Sequence, residues 1–110
     1  MAPRTSLLAL AGLFASSSAP SDHNDVVLAK ETDRYSHTFR AHETAIVTVS
    51  GDGDTDLDLY IYDENGHLIA SDDDLSDDCV VTWTPRWTGS FTIKVVNRGR
   101  VSNVYTRETN

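Results

Sequence analysis

Residues Gly51 to Gly66 read GDGDTDLDLYIYDENG, and this segment restricts the fold more than any other. Leu57, Leu59 and Ile61 alternate with Asp56, Asp58, Tyr60 and Tyr62. A period of two puts apolar side chains on one face of a strand and polar ones on the other, so a half-buried β-strand is expected. Asn65-Gly66 follows. Both residues tolerate positive φ, as a tight hairpin turn requires. Asp52, Asp54, Asp56 and Asp58 form a row of carboxylates leading into the strand.

The pattern recurs along the chain. Arg34 to Phe39, Ala45 to Ser50, Cys79 to Trp83, Ser90 to Val96 and Ser102 to Thr106 are short alternating or β-branched runs separated by turn residues. His67 to Ser71 returns from the Asn-Gly turn, and Val26 to Ala29 reads as a short edge strand. Residues 20–32 are expected as a flexible lead-in or edge strand, and residues 33–110 as one domain. No segment after residue 19 has an apolar period of 3.6, so helix is not expected there. Seven or eight short strands with frequent turns predict an antiparallel sandwich or barrel. Leu57, Leu59, Ile61, Phe91, Ile93 and Val95 are the expected core.

Residues 1–19 carry Arg4, an apolar run from Leu7 to Phe14 and small residues from Ala15 to Ala19, the three-part pattern of a secretory signal. The run is too short to span a bilayer, which needs about 20 apolar residues. A secreted or periplasmic protein without membrane insertion is expected. Its single cysteine, Cys79, excludes an internal disulfide. A small domain of this kind benefits from another staple, and a bound metal is one option.

Charge is uneven. Residues 52–78 hold eleven of the seventeen acidic residues and no Lys or Arg. That balance argues against nucleic acid, which requires a basic patch, and against anionic membranes. Counting outward from Asn65-Gly66 sets Asp56 to Asp58 level with Asp72 to Asp74. Asp54, Asp56, Asp72, Asp73 and Asp74 are therefore the candidate ligands of a divalent cation. Calcium suits them, since it takes six to eight oxygens from carboxylates and carbonyls. The other reading is an acidic, solvated sandwich end. The spacing is not that of an EF-hand, and no His-Glu-x-x-His or close histidine pair points to zinc.

Covalent catalysis has little support. Cys79 opens a β-branched run beside Asp77 and Asp78, which would raise its pKa rather than activate it. No serine has a Gly-x-Ser-x-Gly context. Among the aromatics, Trp83 is expected to pack in the core or beneath the Pro85 turn. Trp87 lies in the loop and is a candidate ligand contact. Tyr60 and Tyr62 are also candidate contacts, on the strand face shared with Asp56 and Asp58.

Two segments together carry a family resemblance. Gly53 to Asp63, GDTDLDLYIYD, and Trp83 to Val95, WTPRWTGSFTIKV, with Ser-Asp-Asp-Asp at Ser71 to Asp74 between them, resemble the bacterial pre-peptidase C-terminal domain. Tyr35 to Phe39 sits where that family carries its early aromatic strand. The similarity covers about residues 33–106. It implies a jelly-roll-like β-sandwich that is non-catalytic and is usually appended to secreted peptidases. Related collagen-binding modules share the architecture, and some bind calcium. No peptidase precedes the domain here, so the chain resembles a stand-alone, monomeric copy.

The expected function is a secreted, non-catalytic binding or accessory module, calcium-stabilised, for an extracellular protein or polysaccharide. One alternative is a small protease inhibitor acting through the loop Asp72 to Asp78. Another is a small secreted hydrolase.

Overall fold

The computed structural model describes residues 21–110, and the expected signal segment, residues 1–19, lies outside the described residues. Eight strands follow one another: β1 (Ser21–Val27), β2 (Thr32–Phe39), β3 (Ala45–Ser50), β4 (Leu57–Tyr62), β5 (Leu68–Asp72), β6 (Asp78–Trp83), β7 (Gly89–Asn97) and β8 (Asn103–Thr109). They form two four-stranded sheets, ordered β1-β8-β3-β6 and β2-β7-β4-β5. Every pairing is antiparallel. Every connection except β4 to β5 changes sheet, which is jelly-roll topology. The all-β sandwich expected from the alternation is the observed fold.

The alternation fills the space between the sheets. Val27, Val47, Val49, Cys79, Val81 and Tyr105 come from one inner face, and Phe39, Leu57, Leu59, Ile61, Phe91, Ile93 and Val95 from the other. All six residues expected in the core are at most 2% exposed. A polar group is buried among them. Tyr105 donates to Asp33 Oδ2 (2.7 Å) and hydrogen-bonds the Tyr35 hydroxyl, while the Arg107 guanidinium lies 3.6 Å from the Tyr35 ring centroid.

Strand limits differ from the sequence reading by a residue at several ends and by more at β1, β2 and β8, the last running to Thr109 where Thr106 was expected. β1 begins at Ser21, where a polar lead-in was expected, because its backbone pairs with β8 from Ser21↔Thr109 to Val27↔Asn103. That pairing makes it an edge strand. β2 begins at Thr32 rather than Arg34, since Thr32 pairs with Val96.

The β4–β5 hairpin has the register obtained by counting from Asn65-Gly66. Leu59 pairs with Asp72 and Ile61 with Ala70. A bulge between Ile61 and Tyr62 then shifts the pairing nearer the turn. Gly66 holds φ at +83°, a conformation other L-residues adopt at a cost. Asp63 ties the turn together. Its Oδ1 accepts the N–H groups of Asn65 (2.8 Å) and His67 (2.9 Å), and its Oδ2 lies 3.2 Å from His67 Nδ1.

The His67 backbone N–H is the main group holding the Asp63 carboxyl below its ordinary value of 3.8; burial opposes it, and the Asn65 N–H and the His67 ring assist. A depressed carboxylate stabilises the fold above its unfolded pKa, and that stabilisation is lost as pH falls through the folded value. Asp63→Asn is therefore expected to melt below the wild type at neutral pH. The gap should narrow below the ordinary value of 3.8 and close once Asp63 is protonated in the fold. Thermal melts of both proteins from neutrality downward check this, and a pH-independent gap would assign the loss to packing.

Candidate functional site

The jelly roll sorts the loops onto two ends. Residues 51–56, 73–77 and 98–102 lie at one end, and residues 40–44, 63–67 and 84–88 at the other. The first end is acidic and the second aromatic.

At the acidic end the carboxylates have three fates. Asp52 and Asp77 are braces. Asp52 accepts the Asp54 N–H (3.0 Å) and the Val104 N–H (2.9 Å). Asp77 Oδ2 accepts from the Gly53 N–H (2.6 Å) and from Asn103 Nδ2 (3.0 Å). Asn103 is fully buried, and its Oδ1 accepts the Asp52 N–H at 3.0 Å. Gly51 passes so close that a Cβ there would stand 2.2 Å from Asp77 Oδ2.

Asp54 and Asp73 are exposed and act as solvated charges. Asp56, Asp58, Asp72 and Asp74 form the third group, and their fields converge on Cys79. Of the five expected metal ligands, Asp56, Asp72 and Asp74 each act on Cys79, as does Asp58. Among the described residues, no three His, Cys, Asp or Glu side chains already stand together as a coordination shell.

Asp58 departs most from its sequence reading. It sits on the face expected to be polar and solvated, yet it is only 4% exposed. Arg98 folds over it, with Nε donating to Asp58 Oδ2 (2.7 Å) and Nη2 to the Tyr60 hydroxyl (3.1 Å). Tyr60 and Tyr62 are half-buried on the same face, with Lys94 Nζ 5.0 Å from the Tyr62 ring centroid. The face is aromatic and basic where an aromatic and acidic one was expected.

Cys79 is buried and donates to the Leu57 carbonyl (3.1 Å). Burial first, then the fields of Asp72, Asp74, Asp58 and Asp56, push its thiol up to about 12. The carboxylates that raise it are these, rather than the sequence neighbours Asp77 and Asp78. Such a thiol is a packing group, not a nucleophile.

At the aromatic end a groove of about 410 Å³ runs between the β6–β7 turn and the β4–β5 hairpin, lined by Trp83, Pro85, Trp87, Phe91, His67 and Ile69 among others. Trp87 is 40% exposed and stacks on Phe91, with ring centroids 6.2 Å apart and planes 20° apart. Trp83 packs edge-on against Phe39 and is half-buried, in keeping with its expected place at the core margin. Its indole Nε1 is buried and has no acceptor. A second, shallower depression of about 450 Å³ contains Tyr62, Arg34, Lys94, Glu64 and Gly66, and both recesses share Asp63. Trp87 and Tyr62 therefore border adjoining recesses around one hairpin.

Sequence reading did not single out Arg98, Asn103 or Asp63. Only Asp63 left a local signal: an aspartate two residues before Asn65-Gly66 is well placed to cap turn N–H groups. Compared with protein-family models and with curated proteins, the chain matches none.

Proposed function

We propose that the chain is a secreted, non-catalytic binding module of the pre-peptidase C-terminal kind, which holds an extracellular polysaccharide or protein at its aromatic end. The observation that carries this reading is the groove beside Trp87. It offers a partly exposed indole already held in place by Phe91. A fixed aromatic surface in a groove suits a ligand that stacks on it. An indole held in advance loses little freedom on binding.

Trp87→Ala is expected to cost about 2 kcal/mol of binding, roughly thirtyfold in Kd. Affinity electrophoresis through gels cast with soluble polysaccharides, alongside pull-downs on extracellular matrix proteins, checks this. Equal mobility and retention of wild type and Trp87→Ala on every binding partner would remove the groove from the reading.

One observation favours a second reading, the protease inhibitor. Leu75, within the acidic loop between β5 and β6, is 90% exposed. A protruding apolar side chain on a loop is the shape a protease specificity pocket accepts. Titration against proteases that cleave after leucine tests it, and loss of inhibition in Leu75→Gly would be its mark.

A further inference from the structure

Arg34 and Lys94 stand directly opposite each other in the β2–β7 register, and Lys94 pairs on its other side with Tyr60. All three point outward from the sheet, since Ile93, Val95, Leu59 and Ile61 beside them fill the core. Like charges directly opposed across a ladder destabilise it. Among the described residues neither cation forms an ion pair with a carboxylate. Lys94 Nζ lies instead 5.0 Å from the Tyr62 ring centroid, and Arg34 is exposed. An unneutralised positive pair thus persists on a chain whose net charge is −8.

Two carboxylates border the same recess of about 450 Å³, and neither serves the pair. Asp63 is buried and committed to the turn N–H groups and the His67 ring. Glu64 is turned toward the start of β7, with its Oε1 2.7 Å from where a Cβ on Gly89 would stand. Arg86 lines the adjoining Trp87 groove and adds positive charge on the same side of the hairpin.

We infer that the Arg34–Lys94 recess takes the carboxylate of a uronic acid in an extracellular polysaccharide. This rests on the binding-module reading and names its ligand class. The Arg34 guanidinium is a planar fork that matches a carboxylate, and Lys94 supplies a point charge beside it. The Tyr62 ring already holds Lys94 in place, so little freedom is lost on binding. A glycan with acid groups spaced among neutral sugars suits so few cations, whereas the net charge of −8 repels a densely sulfated polymer. An acidic peptide would supply the charge. A uronic acid supplies the charge and an apolar ring face in one rigid unit, which suits a recess adjoining the fixed indole of Trp87.

Calorimetric titration of the full chain with oligogalacturonate and with hyaluronan oligosaccharides, each before and after carboxyl reduction, tests this; poly-glutamate is the peptide arm. Saturable binding to at least one uronate is expected, weakened about tenfold or more by carboxyl reduction. Lys94→Gln and Arg34→Gln should each weaken it about fivefold, the upper end for an exposed ion pair, and added salt should weaken it further. Lys94→Arg should stay within about twofold, as should Arg100→Gln, whose side chain is exposed at the acidic end. Circular dichroism is the folding control. The inference is overturned if neither uronate binds up to about 1 mM, if carboxyl reduction leaves affinity unchanged, or if Arg100→Gln loses as much as Lys94→Gln. Tighter binding of poly-glutamate than of either uronate would overturn it in favour of a peptide. Uronate binding that needs Lys94 but not Trp87 would uphold this recess and remove the groove. Binding of the carboxyl-reduced glycans that needs Trp87 but not Lys94 would do the reverse.

Discussion

Leu59→Ala is expected to lower the unfolding free energy by about 2–5 kcal/mol, the range for deleting a fully buried leucine. Leu59 is 0% exposed on β4, which lies between β5 and β7. It pairs with Val95 on one side and Asp72 on the other. Its side chain points between the sheets, where β-branched neighbours are stiff and fill a lost volume poorly. Single domains of this size have total stabilities of about 5–15 kcal/mol, so the variant should be close to unfolding at physiological temperature. Urea denaturation monitored by tryptophan fluorescence checks it. A loss below about 1 kcal/mol would mean the cavity collapses, contrary to the packing argument.

Asn103→Ala is expected to have the next largest effect, about 3 kcal/mol, from orphaned hydrogen-bonding groups that cost about 1–3 kcal/mol each. Asn103 is fully buried at the start of β8. Its Oδ1 receives the Asp52 N–H, and its Nδ2 serves Thr55 Oγ1 (2.9 Å) and Asp77 Oδ2 (3.0 Å). One amide thus links the loop before β4, the loop before β6 and the first residue of β8. Its removal leaves Asp77 with less compensation beside Gly51, where the backbone approach is tightest. Asn103→Asp keeps the size but replaces the two donor hydrogens with charge next to Asp77, so it should be at least as damaging. If both variants unfold at the wild-type urea midpoint, the hub is energetically neutral.

Much of this molecule was legible along the chain. Leu57, Leu59 and Ile61 face inward because a pleated backbone turns successive side chains to opposite faces, and that rule needs only consecutive residues. Counting from Asn65-Gly66 reached the register of Leu59 and Ile61 against β5, although the turn itself runs from Asp63 to Gly66 and Gly66 alone of the pair holds positive φ. The one deviation, the bulge at Ile61 and Tyr62, lies next to the Asp63-capped turn. Trp87 was legible as a loop aromatic from its position between Pro85 and Gly89.

The rest needed the sheets to be ordered. Nothing local places Arg98 over Asp58, forty residues earlier in the chain, and only the β4–β7 pairing, Leu57↔Asn97, brings them together. The acidic run looked uniform in sequence, yet packing divided it into braces (Asp52 and Asp77), solvated charges (Asp54 and Asp73) and a converging group (Asp56, Asp58, Asp72 and Asp74). Periodicity records which side of its own strand a residue faces. What stands across from it depends on strand order, and here every connection but one crosses between sheets, so the partners that set burial and charge come from distant parts of the chain.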